Sequence, residues 1–506
     1  PTTKKPLSIG GKLIHPLYTH SQKFTNDLEY PIPMFIHQLA VDFMKKKFGV
    51  LADNSLLTDF EMINGGEDMN PIVRSTSCGF YQTFFKEGKT ELFVALEQEE
   101  GKPICYEFSP VASERPLIGR RTFLDILRSN DDLIMDGKMP VTIWVATNKD
   151  ELVSHEKAQI GKTRVFVQPT LDLSLLVRRH MGRFISNYKK RAGFNLCHGI
   201  GQDKECCWAA YWKGLTEVGY QGFDVDYSNY DGSVPQCAVD AFTAVLNHAY
   251  SDDRNASRTA LVQAIVQSVI IVGDQVVEKQ IGNCSGSPIT DVMNSVTNWY
   301  HVLCAYLITR SSADLPVDLN SFDEDVRALT YGDDLIVSAK DSVLDWFNRE
   351  SFAAYASILG MKVTSAAKTA GMIAYEPLGQ LTFLKSPFVN RGSYFAAPLP
   401  KKVIYREVMW QKKCNVGDLG IFRQKIDMAL MMMAHHGKDE LKKFTDELCA
   451  LGVDAQFNFQ AWEREMREKQ EYYRVDGPAT GESIDAFFTH LPADIDAFDW
   501  DPDFDY

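Results

Sequence analysis

The chain has 506 residues, 45% hydrophobic and 24% charged, with a formal net charge of −14. It is too long for one small core, so two or three lobes are expected, with the composition of an ordinary soluble globular protein. The acidic balance argues only superficially against a nucleic-acid partner, because eight acids and no Lys or Arg fall between Glu482 and Tyr506.

Basic residues cluster elsewhere: Arg120-Arg121, Lys149 to Arg164, Arg178-Arg179, Lys189-Lys190-Arg191 and Lys401-Lys402. A basic channel in an acidic protein is compatible with that distribution. The opening Pro1-Thr2-Thr3-Lys4-Lys5 has no apolar run behind it, which argues against a signal peptide. It also lacks an initiator Met, which suggests proteolytic release from a longer chain or an artificially trimmed start. The longest apolar stretch, Leu261 to Val272, is broken by Gln263, Gln267 and Ser268 and is too short to span a bilayer. Ten cysteines without CxxC spacing point to reduced cytosolic thiols rather than zinc or disulfides, and His435-His436 reads as a surface feature.

In chain order, the first half is mixed, with strand-like runs at Leu92 to Leu96 and Thr142 to Ala146. A strand is expected from Gly222 to Asp226, then a helix through Ala238, Phe242, Val245 and Leu246 after Pro235. A helix from Arg258 to Gln267 precedes a hairpin turning near Gly273-Asp274. The Gly/Ser-rich loop Gly282 to Pro288 leads into a long helix from about Thr290 to Thr309. Tyr331-Gly332-Asp333-Asp334 lies between apolar runs and predicts two strands joined by a tight turn. An amphipathic helix from Ser342 to Leu359 and a strand near Met361-Lys362-Val363 follow. Helical periods then cover Gly417 to Ala434, Lys438 to Leu451 and Gln460 to Tyr473. The acidic tail contains Phe and Trp and is expected to dock. The β-α-β-β-α-β order around the acids is that of a ferredoxin-like, split βαβ core in an α/β (α+β) protein.

Paired acids on a hairpin tip repel each other; taken alone they are more often a solvated loop, but they make sense if hard divalent cations, Mg²⁺ or Mn²⁺, sit there. Asp226 at a strand end, with Asp333 and Asp334 on the neighbouring hairpin, would give an oxygen cage for two ions about 4 Å apart. Thr290 and Asn294 share one helical face. With Ser285 and Asp231 they are expected to form a hydrogen-bonding network that senses a ribose 2′-hydroxyl, although an N-capped core helix explains the same residues.

The ordered motifs from about Ser75 to Lys385 resemble those of the RNA-directed RNA polymerases of picornavirus-like positive-strand RNA viruses. Ser75-Thr76-Ser77-Cys78-Gly79 resembles the motif that guides the template in. Lys149-Asp150-Glu151-Leu152, with Lys157, Lys162 and Arg164, resembles the basic motif that grips the incoming triphosphate. Asp226 and Asp231 match the first palm motif, Ser285-Gly286 with Thr290 and Asn294 the second, and Tyr331 to Asp334 the third. Lys368 matches a lysine proposed in the family as general acid for pyrophosphate, and Phe383-Leu384-Lys385 resembles the primer grip. The resemblance thus implies catalytic roles for Asp226, Asp333, Asp334 and Lys368, and template or primer contacts for Thr76, Ser77, Gly286 and Lys385.

It further implies a closed right hand: fingers at residues 1–190, including an N-terminal bridge to the thumb, palm at 191–264 and 284–388, a fingers insertion at 265–283, and a thumb at 389–506. Two metal ions, template and product RNA, rNTPs, a small uridylylated protein primer and other viral replication proteins are the implied partners. Location is expected in membrane-associated complexes of the host cytoplasm, with no spanning segment of this chain's own. Val153, where an arginine is usual, and Ser386-Pro387, where a second basic residue is common, point toward a dicistrovirus- or iflavirus-like branch.

Three rivals are weaker. Gly161-Lys162-Thr163 imitates a phosphate-binding loop, but Glu156 stands where its leading Gly belongs. A reverse transcriptase would want a bulky residue against the 2′-hydroxyl, where Asp231 and Asn294 offer hydrogen bonds. A non-catalytic RNA-binding factor would be expected to lose a palm carboxylate. The sequons at Asn255 and Asn283 would go unused in a cytosolic chain.

Overall fold

The computed structural model describes residues 7–9, 12–14, 32–66, 69–85, 87–96, 104–149, 152–366, 372–410 and 418–473. Two compact units form. One comprises Pro1–Arg191, Ser228–Cys304 and Ala356–Met361; the other comprises Ala192–Tyr227, Ala305–Tyr355 and Lys362–Tyr506.

The first unit is built on a four-stranded sheet in the order Val165–Gln168, Ile143–Asn148, Ser268–Val272, Gln275–Lys279. The two inner strands run parallel and the outer pairs antiparallel. Buried and half-buried residues alternate along Ser268–Val272, as one packed face requires. Its hairpin turns at Gly273-Asp274 as the sequence predicts, with Gly273 at φ +63°. Helices Met34–Phe48, Leu171–Lys190, Gln236–His248 and Asn255–Val266 supply the core. There Phe48 stacks on Phe184, Tyr188 and Trp299 with ring centres 5.7–6.1 Å apart.

The second unit holds the acid-bearing sheet. Its order is Val326–Tyr331, Asp334–Ala339, Gln221–Ser228, Lys362–Thr364, with Glu376–Pro377 also pairing on Gln221–Ser228. Numbered along the chain, the four main strands lie 2-3-1-4, the split βαβ order that the sequence predicts. Helix Lys204–Thr216 covers part of this sheet with Trp208, Tyr211 and Trp212, all buried. Helices Asp418–Ala434, Lys438–Ala450 and Phe459–Tyr472 pack around Ile426, Leu430, Met433, Phe444, Trp462 and Met466.

Two expectations fail. The helix foreseen over Ser342 to Leu359 is two pieces, Asp341–Leu344 and Arg349–Ile358. Asn348 breaks it, because its side-chain oxygen accepts the Glu350 and Ser351 N–H groups and caps a new helix. His435-His436 is not a surface pair: His435 is buried, receives the Ala397 N–H at 3.2 Å, and burial pushes its imidazolium down to about 3. Of the first 31 residues, expected to contribute a bridge between fingers and thumb, the structure describes the paired strands Leu7–Ile9 and Lys12–Ile14, and the acidic tail from 474 lies outside the described residues. Among the described residues no helix is long and apolar enough to cross a membrane.

Candidate active site

The acids are placed by backbone register. Strand Gln221–Ser228 lies tight against Asp334–Ala339, and a Cβ on Gly222 would sit 2.0 Å from the Val337 carbonyl oxygen. That pairing ends at Leu335 opposite Val225, so Asp226 is the first residue past the ladder. The strand does not stop at Asp226 as expected, but runs on to Ser228. It ends where Asn229 takes φ +64°, a left-handed conformation that Asn tolerates. On the hairpin, Tyr331 pairs with Asp334 across the two-residue loop Gly332-Asp333, with Gly332 at φ +64°. Asp333 is exposed on the loop and Asp334 is half-buried. Burial, then the charges of Asp333 and Asp226, pushes the Asp334 carboxyl up to about 7. Among the described residues no three His, Cys, Asp or Glu side chains are gathered closely enough to hold a metal ion by themselves. Asp334 nonetheless feels the charges of both Asp333 and Asp226.

Asp224, two residues before Asp226, plays a different part. It is buried and receives Arg349 Nη2 at 2.9 Å and the backbone N–H groups of Ala366 and Thr382, each at 3.1 Å. Arg349, 1% exposed in its side chain, also reaches Glu376 at 2.7 Å.

Lys385 sits on a turn closed by reciprocal backbone bonds between Phe383 and Ser386, at 3.0 and 3.1 Å. Leu384 and Lys385 adopt φ +53° and +60°. The Lys204 ammonium donates to the Leu384 carbonyl at 2.6 Å and to Ser386 Oγ at 3.0 Å. Burial pushes that ammonium down to about 8, against the pull of Asp334.

The ribose-sensing candidates lie in the first unit. Asn294 Nδ2 donates to Asp231 Oδ1 at 2.6 Å. Asn283 Nδ2 donates to Asn294 Oδ1 at 2.9 Å, and the Asn283 backbone N–H donates to the Asp231 carbonyl at 2.7 Å. Thr290 turns instead to the loop, donating to the carbonyls of Cys284 and Ser287, and Ser285 stands outside this chain of bonds. Gly286 lies against the Val167 carbonyl, where a Cβ would come within 2.1 Å. Lys279 is buried beneath the loop, its ammonium 2.6 Å from the Gly282 carbonyl.

Lys149, Lys157, Lys162 and Arg164 are all exposed, and local backbone bonds group them. Lys149 N–H bonds the Arg164 carbonyl, and Lys162 N–H the Lys157 carbonyl, both at 2.8 Å. Gly161 here joins helix His155–Gln159 to strand Val165–Gln168, the reverse of the strand-to-helix order of a phosphate-binding loop. In the Ser75 to Gly79 segment, Thr76 Oγ1 donates to the Val73 carbonyl and receives Lys89 Nζ at 2.7 Å. Ser77 Oγ receives the Gly79 N–H at 3.1 Å. Lys368, Asp150 and Glu151 lie outside the described residues.

Sequence reasoning missed Asn283, Lys204 and Arg349. Asn283 stood in the sequence only as a glycosylation sequon, yet it is buried and bonded to both polar candidates.

A family model described as "Viral RNA-dependent RNA polymerase" matches residues 16–451. The genome polyproteins of rice tungro spherical virus (strain A) and Mengo encephalomyocarditis virus are each 27% identical, over 81% and 85% of this chain. The chain spans 12% and 17% of those two polyproteins. A solved structure, "Sicinivirus 3Dpol RNA dependent RNA polymerase", superimposes with a TM-score of 0.70 at 20% identity, covering 88% of this chain and 87% of that one. The two share a fold. With its acids on a split βαβ sheet and the match running from residue 16 to 451, the chain belongs to the viral RNA-dependent RNA polymerases, of the picornavirus-like kind.

Proposed function

We propose that this RNA-directed RNA polymerase extends RNA by two-metal nucleotidyl transfer, with Asp226, Asp333 and Asp334 as the metal-holding acids. One observation carries the reading: three carboxylates gather at the end of a strand register, where burial, then the charges of Asp333 and Asp226, pushes Asp334 up to about 7, a cluster of like charge that suits cations. The family works with divalent metal ions. Two Mg²⁺ (or Mn²⁺) ions would lower the pKa of the attacking hydroxyl and neutralise the leaving pyrophosphate. The primer 3′-oxygen bonds to the α-phosphorus of an rNTP, the bond to the β-phosphate breaks, and pyrophosphate leaves.

The chain's own residues supply position and charge. Arg164 and Lys149, with Lys157 and Lys162, bind triphosphate oxygens; the guanidinium of Arg164 suits paired contacts. Asp231 and Asn294 accept and donate toward the ribose hydroxyls, with Thr290 and Ser285 shaping the loop beside them. Asn283 holds the Asn294 carbonyl end, which leaves the Asn294 NH₂ facing Asp231. Thr76, Ser77, Gly286 and Lys385 contact template or primer, and Lys368 donates the proton to pyrophosphate. The division into fingers, palm and thumb, a uridylylated protein primer, other viral replication proteins and indirect attachment to cytoplasmic membranes belong to the same reading, on family resemblance.

The test is extension of a primed RNA template by purified protein with Mg²⁺ and each nucleotide type. Extension with rNTPs and little with dNTPs is expected; efficient dNTP use would defeat the reading. Single-nucleotide addition by Lys368→Leu, followed across pH, should be about 10²–10⁴-fold slower than wild type. A wild-type rate would make Lys368 a bystander.

A further inference from the structure

We infer that Lys204 is a positioning residue for the RNA primer end, its ammonium fastening the Phe383–Ser386 turn that presents Lys385. This rests on the reading of that turn as a primer contact. Leu384 and Lys385 are consecutive non-glycine residues in the left-handed region, the pairing that a two-residue turn of this hand normally gives to Asn-Gly. Each resists that conformation because its Cβ crowds the backbone, so something outside the turn must hold it.

Helix Lys204–Thr216 supplies the hold from one face. Lys204 donates to the Leu384 carbonyl and to Ser386 Oγ, so it clasps the turn at its middle and at its closing residue. Trp208, four residues on, donates its indole N–H to the Pro387 carbonyl at 3.0 Å and stacks on Phe388 at 4.6 Å. Tyr211, three further, meets Phe383 edge-on at 6.3 Å. The ammonium also feels the charges of Asp334 and Lys385. A neutral donor would satisfy the carbonyl without feeling the charge of Asp334.

The experiment measures the lifetime of an assembled complex with primed RNA under a salt challenge, beside rNTP KM and melting temperature. Lys204→Met should shorten that lifetime at least tenfold and leave rNTP KM near wild type. Leu384→Gly should restore the lifetime in the Lys204→Met background, because glycine adopts the left-handed conformation without being held. An unchanged lifetime in Lys204→Met overturns the proposal. So does a loss that the added Leu384→Gly fails to restore but excess Mg²⁺ does, which would make Lys204 a partner of Asp334 alone. If Lys204→Met does not fold, Ser386→Ala removes one of the two bonds and should give a smaller loss; no loss there also overturns it. Lys385→Ala tests the underlying reading separately, since an unchanged lifetime would mean that the turn does not touch the primer.

Discussion

Asp224 and Asp334 sit on neighbouring antiparallel strands of one sheet, and burial lifts both carboxyls toward the neutral form. Their surroundings then diverge. Asp224 is answered from within the chain by Arg349 and two backbone N–H groups, which pull it back toward the charged form. Asp334 is met first by two more carboxylates, Asp333 and Asp226, and only then by Lys385 and Lys204. A fold that needs a buried acid for its own integrity supplies the counter-charge, as it does at Asp224. Acids massed without full compensation cost stability, and that cost makes sense when the compensation arrives with a ligand.

The sharpest way to break this contrast is to remove one charge from each group. Asp333→Asn keeps the shape of the loop but withdraws an exposed carboxylate. It should leave the melting temperature near wild type and slow nucleotide addition on the order of 10³-fold or more, since lost metal assistance is worth several kcal/mol and about 1.4 kcal/mol is tenfold. Near-normal extension in Mg²⁺ would place this acid outside the chemistry. Arg349→Met does the opposite. It strands Asp224 and Glu376 without their cation and should cost about 3–5 kcal/mol in urea unfolding. Adding Asp224→Asn should recover part of that loss, because the amide oxygen still accepts a backbone N–H. A single mutant as stable as wild type would show that the buried pair is not what holds these strands.

The two groups were also unequally legible. The hairpin acids announce themselves because Gly332 and the flanking apolar runs are local signals, and the hairpin at Gly273-Asp274 was readable for the same reason. Arg349 gave no such signal, since it lies within a continuous amphipathic pattern that only the Asn348 cap interrupts. Its partner is 125 residues away, a separation that no periodicity encodes. Lys204 and Asn283 were hidden in the same way, by burial that arises only in the folded chain. His435-His436 reads as polar surface from composition, while packing against Trp462 at 5.0 Å puts His435 inside.

The ribose candidates give a finer version of the same comparison, because the carboxylate of Asp231 takes its hydrogen bond from a neutral amide. Asn294→Asp would set two carboxylates against each other where Asn294 now donates at 2.6 Å. Discrimination between rNTP and dNTP should fall about 10–10²-fold, the equivalent of one hydrogen bond to a charged group, with RNA affinity little changed. Asn283→Leu should produce a smaller loss of the same kind, since it frees the Asn294 amide to rotate without removing it. Single-turnover rates with paired rNTP and dNTP measure both. An unaltered ratio in each variant would reduce this network to a cap on helix Thr290–Ser312.

The smallest effect belongs to a carboxylate that is also answered by the chain, but in water. Glu440 receives Lys443 at 2.6 Å and Lys401 at 2.9 Å, and these hydrogen bonds, Lys443 first, push its carboxyl down to about 2 from an ordinary 4.5. A depressed pKa means that the charged form is the one favoured by folding. The contribution is therefore present above about pH 4.5 and lost as pH falls toward 2. Solvent screens it, because the Glu440 side chain is 31% exposed and that of Lys443 is 69% exposed. Glu440→Gln should then cost only about 0.2–1 kcal/mol at neutral pH, and progressively less as pH falls toward 2. Adding salt to about 1 M, where the screening length is roughly 3 Å, should erase most of the difference. The deficit of Arg349→Met should survive the same salt, because its stranded partners are shielded from the solvent ions. Equal salt sensitivity in the two variants would remove the distinction between a buried answer and an exposed one.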